Sequence, residues 1–492
     1  MHAETGTEEI EERLAELERL GLSRRLRLVS GPQGPTVLLD GKPVLLLCSN
    51  NYLGLADHPQ VREAAADAAM RWGVGAGGSR LISGTMTVHR RLEERLAAFA
   101  GRQACLLFGS GYLANLGVIG ALASSGDTVF SDELNHASII DGCRLSRAEV
   151  VVYRHRDPEH LLWCMRHHGG RRDGDARSLV VTDAVFSMDG DVAPLEEIVE
   201  LAHAFGARVA VDEAHAIGTF GPGGRGVLAQ AGLESEVDAI VGTLGKSLGS
   251  YGAYVCADDA TVRYMLNTAR SFIFSTAPSP PATAGALAAL ELIEQRPHRV
   301  ERLAANARAL RRSLATEGFA VAEGDMHIVP LVVGDERDTL RLCQAALEQG
   351  VFAQAIRPPT VAAGTSRLRL AAMASHTASD MRLAAGVLAG AARKLGLDLA
   401  ALGTPPGVDE SAAQPVESFE QSRQRATFTD EAPETPFDVD RPARTGAEAT
   451  RPAPFDIEAP RPRRPPAPAA NDADSAGLPF DGERDGAVAH AA

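Results

Sequence analysis

The chain of 492 residues is long enough for two or three domains, and its 45% hydrophobic content allows a sizeable core. A formal net charge of −15 argues against a general nucleic-acid surface, which needs a basic stripe. The acidic N-terminus lacks the apolar core of a signal peptide, and no apolar run reaches the length of a membrane span. Six scattered cysteines without a Cys-x-x-Cys pair favour free thiols in a reducing cytoplasm over a disulfide framework or a zinc site.

The first two-thirds of the chain predicts an α/β fold. Apolar residues at helical spacing indicate an amphipathic helix over residues 7–22. From about residue 45, strand-like and helical segments alternate, which is typical of a mostly parallel sheet covered by helices on both faces. The predicted strands are 104–108, 128–131, 149–153, 178–182, 208–212, 239–243 and 252–256, with helices among them at 90–100, 112–123 and 194–205.

The rest of the chain predicts a smaller domain and a tail. After 278–281, a long helical stretch rich in Ala, Leu and Arg reaches about residue 316, and a strand pair and helices follow to about 399. From about 403, Pro, Ala and charged residues dominate and the apolar periodicity ends, which predicts disorder. The predicted parts are an N-terminal helix and arm (1–45), a large domain (46–290), a small C-terminal α+β domain (291–402) and a disordered tail (403–492).

Two predicted strands end in residues that suit a ligand site, since ligands of such sheets lie beyond the carboxyl ends of the strands. The sequence GSGYLAN follows strand 104–108, and Ser110 and Gly111 could gather backbone N–H groups around a phosphate; an ordinary tight turn is the alternative. Strand 208–212 ends in Asp212, with His215 three residues later. A carboxylate there could keep a pyridine nitrogen protonated, bind a metal or cap a helix.

A third strand end carries a lysine. The sequence TLGKSLGSYGA places Lys246 among glycines and small hydroxyls directly after strand 239–243. This setting suits a lysine that bonds covalently to a cofactor, with Thr243 holding a phosphate oxygen, whereas a solvated turn lysine is the alternative. Together the three strand ends predict a phosphate-binding turn, a charge partner and a covalent lysine at one edge of one sheet.

Several stretches between about residues 20 and 399 resemble the α-oxoamine synthases, a family of fold type I enzymes of pyridoxal 5′-phosphate (PLP). These stretches are CSNNYLGLADHP (48–59), NHASIIDG (135–142), VTDAVFSMDGDVAPL (181–195), VDEAHAIGTFGPGGRG (211–226), TLGKSLGSYGA (243–253) and AIRPPTVAAGTSRLRL (355–370). The resemblance implies PLP as the cofactor, an aspartate aminotransferase-like fold with a seven-stranded sheet in its large domain, and a homodimer. It also implies an acyltransferase that condenses an amino acid with an acyl thioester, carried by coenzyme A or acyl-carrier protein, with loss of carbon dioxide.

The resemblance assigns roles by position. Lys246 matches the lysine that holds the cofactor covalently, Asp212 the partner of the pyridine nitrogen, and His136 the histidine that stacks on the ring. Together with His215 they are the predicted catalytic residues. The predicted contacts to the ring, its 3-oxygen and the phosphate are Ser187, His215, Ser110, Gly111, Tyr112 and Thr243, with Ser275 and Thr276 reaching the phosphate of the other subunit.

The resemblance also implies a substrate site. Arg369 matches the arginine that binds the amino-acid carboxylate bidentately, and Asn50 looks like a residue that lines the same site. Arg24, or Arg25 because the lengths differ here, and Thr360 match acyl-substrate contacts. The motifs RPPT and FSMDGD look most like family members that join L-alanine to a pimeloyl thioester in biotin biosynthesis.

Two segments near the expected substrate pocket depart from the family pattern: Val361-Ala362, where Val-Pro is usual, and LAAMASH after Arg369. The alternatives are the same chemistry with glycine, an acyl donor of secondary metabolism, and an inactive member that acts as a binding scaffold. The intact lysine, aspartate and histidine set argues against the scaffold.

Two other patterns are set aside. The sequence GVGAGGSR (73–80) has Gly-x-Gly-x-x-Gly spacing, but a helical segment precedes it where a dinucleotide fold needs a strand. Four histidines lie in a charged connection over 154–177, where a solvated loop or helix is favoured over a metal because structural zinc has tighter paired ligands. They are His155, His160, His167 and His168. No metal is predicted.

Overall fold

The computed structural model describes residues 2–168 and 177–403. Its strands are β1 (Val29–Ser30), β2 (Thr36–Leu39), β3 (Lys42–Leu46), β4 (Ala104–Phe108), β5 (Thr128–Asp132), β6 (Glu149–Tyr153), β7 (Ser178–Asp183), β8 (Arg208–Asp212), β9 (Ala239–Thr243), β10 (Ala253–Ala257), β11 (Ile328–Gly334), β12 (Val351–Phe352), β13 (Gln354–Ile356) and β14 (Ser366–Ala371). Its α-helices are α1 (His2–Arg19), α2 (Pro59–Trp72), α3 (Thr87–Phe99), α4 (Gly111–Leu122), α5 (Ala137–Ser146), α6 (Pro158–His168), α7 (Leu195–Ala204), α8 (Val227–Ala231), α9 (Asp259–Thr268), α10 (Arg270–Ile273), α11 (Pro280–Gln295), α12 (His298–Glu317), α13 (Glu336–Glu348) and α14 (Ala378–Lys394).

A seven-stranded sheet in the order β4-β10-β9-β8-β7-β5-β6 is the centre of the fold. Its pairs are parallel except those of β10, which runs antiparallel to both of its neighbours. The predicted α/β fold is confirmed, and each predicted strand of this sheet agrees to within one residue at both ends. Strand β10 starts at Ala253, one residue later than predicted, because Gly252 has a φ of 116°, outside the extended region.

The strands of this sheet are apolar on both faces because helices cover both. Alternate residues of one strand belong to different cores: Leu106 packs with Val118 and Ile119 of α4, whereas Leu107 packs with Leu92 and other residues on the opposite face. This burial explains why the strands read as continuous apolar runs instead of alternating ones. It also leaves the carboxyl edge of the sheet as the place for polar side chains.

A second core lies around the C-terminal elements. The three-stranded sheet β11-β14-β13 and the four-stranded sheet β1-β2-β3-β12 contribute to it. The long helical stretch predicted after residue 281 is two helices, α11 and α12, because Pro297 lacks the N–H that a continuous helix requires. Helix α11 packs on α2, and α12 packs on α14. The domain boundary near residue 290 stays a prediction.

The described chain ends at Gly403, whose backbone is tied to the second core. Leu402 and Gly403 accept hydrogen bonds through their carbonyl oxygens from the backbone N–H groups of Ala320 and Val332, at 3.0 and 2.7 Å. The predicted tail, apart from Gly403, lies outside the described residues. Within residues 2–168 and 177–403, no helix combines the length and apolarity that crossing a membrane requires.

Candidate active site

Three neighbouring parallel strands bring the central residues of the site together. Asp183 ends β7 and Asp212 ends β8, and the two are register partners. Strand β9 ends at Thr243, so the loop that carries Lys246 leaves the same edge. The sequence prediction that these groups share one edge of one sheet therefore agrees with the strand order.

Asp212 is held by two hydrogen bonds. Its Oδ2 accepts from Nδ2 of Asn115 at 2.7 Å, and its Oδ1 accepts from the backbone N–H of Ala214 at 2.8 Å. Asn115 lies on α4 and also donates to Oγ of Ser138 at 2.9 Å. The carboxylate is buried, with 6% of the residue exposed, so its orientation is fixed before any ligand binds. These contacts fit the role of an anion beside a ring nitrogen.

Lys246 has an amine suited to covalent chemistry. Burial lowers the pKa of Lys246 to about 8, although the negative charges of Asp212 and Asp183 oppose this shift. A lysine with this pKa is partly neutral near pH 7, whereas an ordinary lysine is almost wholly protonated. The neutral amine is the form that can attack a carbonyl carbon or accept a proton.

The turn after β4 has the features of a phosphate site. Ser110 is the N-cap of α4, and its Oγ accepts from the backbone N–H of Leu113 at 3.3 Å. At Gly111 no atom outside its chain neighbours and its own helix backbone lies within 4 Å of the position that a Cβ would take, so the helix N-terminus is open. Phe108 and Thr243 both pair with Ala253, which places the turn and the end of β9 at the same height of the sheet. Helix N-termini bind phosphate readily because their first N–H groups have no partner within the helix.

Two other predicted phosphate contacts are also placed. Tyr112 is 42% exposed, and its hydroxyl donates to the Asp141 carboxylate. Thr243 donates through Oγ1 to the carbonyl oxygen of Gly252 at 3.2 Å and accepts from the N–H of Gly245 at 3.3 Å. Thr243 is therefore oriented at the mouth of the Lys246 loop.

The two predicted histidines are each held by a neighbour. Nδ1 of His136 lies 2.7 Å from Oγ of Ser138, and the His136 backbone N–H donates to Oδ2 of Asp183 at 2.7 Å. Nδ1 of His215 lies 2.7 Å from the hydroxyl of Tyr52. Burial holds the pKa of His215 well below its ordinary value, so its imidazole is neutral.

Arg369 joins several predicted substrate residues into one network. Its guanidinium donates to Oδ1 of Asn50 at 3.1 Å, to the Tyr52 hydroxyl at 2.9 Å and, through Nε, to the carbonyl oxygen of Ser187. Because Tyr52 also contacts His215, the network reaches from β14 to the end of β8. A buried guanidinium that is held in one orientation suits a planar carboxylate.

The predicted acyl-substrate residues lie on the surface beside one turn. Arg24 is exposed and donates to the carbonyl oxygen of Pro358 at 3.2 Å. Thr360 is exposed in the same turn, and its N–H donates to the carbonyl oxygen of Arg357 at 3.1 Å. The structure therefore brings these residues together, while Arg25 is also exposed in this segment.

The residues predicted to reach a second subunit lie at an apolar surface of this chain. Thr276 is exposed and forms an isolated antiparallel bridge with Ser79, and Ser275 is half-buried. Phe274, directly before Ser275, is 73% exposed, and Ile82, three residues after Ser79, is 83% exposed. The Gly-rich segment 73–80, set aside as a dinucleotide site, follows helix α2 and not a strand.

Sequence reasoning missed four residues of the site: Asn115, Asp183, Tyr52 and His327. Asp183 could have been found, because it ends a strand as Asp212 does, and Asn115 lies one turn beyond the phosphate-binding turn. No local pattern points to His327, whose ring packs edge-on against Tyr52 at 4.2 Å. Burial lowers the pKa of His327 to about 3, so this ring is neutral.

The interpretation of the four histidines is wrong for one of them. His160, His167 and His168 lie on α6, in agreement with the prediction of a helix or loop. His155 is not a solvated loop residue, because its ring bridges Asp132 and Asp191 at 2.9 and 2.8 Å. Both aspartates lie outside residues 154–177, the segment on which the prediction for His155 was based.

These residues fit PLP. The group needs an amine for a covalent bond, an anion beside its ring nitrogen and a donor-rich turn for its phosphate. Lys246, Asp212 and the open turn at Ser110 and Gly111 supply these at one edge of the sheet. The deep shift in the pKa of Lys246 is typical of such functional sites.

Comparisons with known proteins agree with this site. The model of the family "aminotransferase class I and II" matches residues 42–388. The 8-amino-7-oxononanoate synthase of Geobacter metallireducens is 49% identical over 388 residues, which are 78% of this chain and 98% of the relative. The same-named protein of Anaeromyxobacter dehalogenans is 52% identical over 370 residues, which are 75% of this chain and 92% of the relative.

Solved structures show the same fold. A serine palmitoyltransferase from S. paucimobilis with PLP and myriocin bound is 34% identical, with a TM-score of 0.74 over 80% of this chain and 98% of that chain. An 8-amino-7-oxononanoate synthase from Francisella tularensis, at 24% identity, shares the fold, with a TM-score of 0.61 over 72% of this chain and 99% of that chain.

The chain therefore belongs to the aminotransferase class I and II family, and within it to the PLP-dependent α-oxoamine synthases. Relatives that are 48–49% identical to this chain over 388–393 residues carry the name 8-amino-7-oxononanoate synthase. The predicted family, fold type and cofactor are confirmed. The roles assigned to individual residues stay predictions.

Proposed function

We propose that this enzyme joins L-alanine to a pimeloyl thioester, with release of the thiol and carbon dioxide, to give 8-amino-7-oxononanoate for biotin biosynthesis. The observation that carries the proposal is one site in which the Asp212 carboxylate and the Arg369 guanidinium are held by named partners and burial lowers the pKa of the Lys246 amine. Relatives with this activity in their names, 48–52% identical over most of their length, support the choice of substrates.

In the proposed reaction, Asp212 stabilises charge and Lys246 transfers the proton. PLP, when bound, supplies an electron sink that stabilises negative charge on the α-carbon of the amino acid. Asp212 holds a proton on the ring nitrogen, and the Asn115 amide keeps that carboxylate aimed. The Lys246 amine, neutral in part because of its lowered pKa, takes the α-proton and later returns one.

The other residues bind and orient. Arg369 binds the carboxylate of the amino acid, which replaces its present contacts with Asn50 and Tyr52. His136, fixed by Ser138 and Asp183, packs against the cofactor ring. Arg24 and Thr360, at the 357–360 turn, contact the acyl chain or its carrier.

A homodimer and a cytoplasmic location are parts of the same proposal. The exposed apolar side chains near Ser275 and Thr276 support a second copy of the chain that covers them. The six cysteines are free thiols, five of them buried, which suits a reducing compartment. Coenzyme A or acyl-carrier protein is the proposed carrier of the acyl group.

The test is a substrate panel with the purified holoenzyme. L-alanine, glycine and L-serine are each mixed with pimeloyl-CoA and with palmitoyl-CoA, and products are identified by mass spectrometry while thiol release is followed. We expect product only from L-alanine and pimeloyl-CoA, and none from the Lys246→Ala variant. Preferred turnover of L-serine with palmitoyl-CoA, the substrates that the name of the solved neighbours suggests, would contradict the proposal.

A further inference from the structure

The loop 186–191 carries Ser187 and is closed on itself. The N–H of Phe186 donates to the carbonyl oxygen of Asp191 at 3.0 Å, and the N–H of Gly190 donates to the carbonyl oxygen of Phe186 at 2.9 Å. Val185 and Val192 pair as an isolated bridge at its base. The loop is therefore a compact unit whose backbone is bonded to itself.

On one side this loop is attached to strand β14. The guanidinium of Arg367 forms an ion pair with Asp189, and Nε of Arg369 donates to the carbonyl oxygen of Ser187. Gly190 lies so close to β11 that a Cβ would come within 2.6 Å of the carbonyl oxygen of Ile328. The direction of the Arg369 guanidinium thus depends on where the loop lies.

On the other side the loop is attached through His155. Nδ1 of His155 lies 2.9 Å from Oδ1 of Asp132, at the end of β5, and its Nε2 lies 2.8 Å from Oδ2 of Asp191. The ring stands perpendicular to Phe186, with the ring centres 4.3 Å apart. Both ring nitrogens face carboxylates, so the doubly protonated ring satisfies both acceptors.

The charges around this bridge favour the imidazolium. Asp132 and Asp191 face the ring, Arg156 pairs with Asp191 at 3.2 Å, and Glu133 accepts the backbone N–H of His155. Burial by itself lowers the pKa of His155, but the hydrogen bonds and charges of the two aspartates outweigh it and raise this pKa to about 9. With 10% of its side chain exposed, His155 is a mostly buried, charged residue that links Asp132 to Asp191 and is not a surface histidine.

We propose that His155 is a positioning residue for the amino-acid site: it fixes the 186–191 loop to the end of β5 and thereby aims Arg369 at the substrate carboxylate. The inference rests on the proposed function only in taking Arg369 as the carboxylate-binding group. Without the imidazolium, Asp132 and Asp191 repel one another across a poorly hydrated gap. The loop then moves, and the Ser187 carbonyl no longer holds Nε of Arg369.

The experiment compares the holoenzyme with His155→Gln, Asp191→Asn and the double variant. Glutamine cannot present two opposed N–H donors, so the bridge is lost. We expect the KM for L-alanine to rise about tenfold while kcat stays within about twofold, since an interaction that aims Arg369 acts mainly in binding. Hydrogen exchange of peptides over 184–193 should speed up. His168→Gln is the matched control, because its ring faces Glu149 at 3.4 Å on the surface.

The double variant decides whether His155 acts through Asp191. If it does, the double variant is no worse than the worse of the two single variants, since both break one link. Fully additive losses, or an unchanged KM despite faster exchange, would overturn the positioning role. Unchanged exchange in His155→Gln would overturn the attachment itself. Absence of any condensation by the wild type would count against the proposed function alone, because exchange is measured without substrate.

Discussion

At the scale of single residues, the protonation of Lys246 is the first property to test. Burial lowers the pKa of this amine to about 8, so its neutral fraction rises as the pH passes through that value. The sequence has three lysines, Lys42, Lys246 and Lys394, which makes the measurement simple. In the cofactor-free protein, we expect the acetylation rate of Lys246 to rise with pH through about 8 and to level off near pH 9, about one unit above its pKa, as measured by peptide mass spectrometry.

Lys42 and Lys394 serve as internal references in the same sample. A Lys246 rate that follows the two references over the whole pH range would show that the site does not lower the pKa of this amine.

Asp212 offers a second test at this scale. Asp212→Asn should retain PLP but lose most of the turnover, because a neutral amide cannot hold the proton of the ring nitrogen. Breaking a buried charge pair costs roughly 3–5 kcal/mol, which lowers the rate by about two to four powers of ten if it falls on the transition state. Steady-state kinetics and the absorbance of bound PLP measure the two effects.

The control for this variant is Asp238→Asn. Asp238 accepts the N–H of Val209 at 2.8 Å, at the start of β8 and thus at the opposite end from Asp212. The Asp238→Asn variant should keep nearly full turnover. A near-normal rate in Asp212→Asn would place the stabilisation of charge elsewhere in the site.

At the scale of elements, the loop attachment predicts a pH dependence of stability. The pKa of His155 is raised from 6.5 to about 9 in the folded protein. Its contribution is therefore fully present below pH 6.5 and is lost as the pH rises through about 9. The difference in Tm between the wild type and His155→Gln, measured by calorimetry, should be largest at pH 6 and smallest near pH 10. A difference that grows with pH would contradict the charged bridge.

The end of the second core makes another prediction at this scale. Truncation after Gly403 should leave fold, PLP binding and turnover nearly intact. Truncation after Leu397 removes Leu402, 4% exposed, and the backbone hydrogen bonds to Ala320 and Val332. Loss of one buried leucine and two hydrogen bonds should lower the free energy of unfolding by about 2.5–6 kcal/mol. Urea unfolding compares the two proteins, and loss of folding after truncation at Gly403 would show that the tail packs on the enzyme.

At the scale of the whole molecule, assembly is the main question. The side chains of Met70, Val74, Ile82 and Phe274 are each more than 70% exposed in one chain. A contiguous exposed apolar patch usually marks an interaction site. We expect a homodimer by light scattering, and we expect Ile82→Asp to weaken the dimer and to reduce turnover in parallel.

Leu383→Asp is the control, since Leu383 is 56% exposed on α14 and lies outside that group. It should remain a fully active dimer. A wild-type monomer with full activity would refute the proposed contribution of Ser275 and Thr276 to the site of the other subunit.

The sequence alone predicts those elements that are specified by residues close together in the chain. The strands of the central sheet are short apolar runs bounded by polar or glycine residues, and both faces are buried, so their limits follow from composition. The placement of Lys246 and Asp212 at one site could be predicted because the carboxyl ends of parallel strands lie at the same edge of a sheet, whatever sequence connects the strands. The family resemblance added roles for residues such as Arg369 and His136, which no local rule assigns.

Other features depend on contacts that only the folded chain creates. Arg369 meets Ser187 across 182 positions, and Asn115 meets Asp212 across 97. His155 looked like one of several solvated histidines until the end of β5 and the 186–191 loop placed an aspartate at each of its ring nitrogens. A local pattern identifies which groups lie at a strand end, but the charge of an imidazole or an amine is set by burial and by neighbours distant in sequence, and these exist only in the tertiary structure.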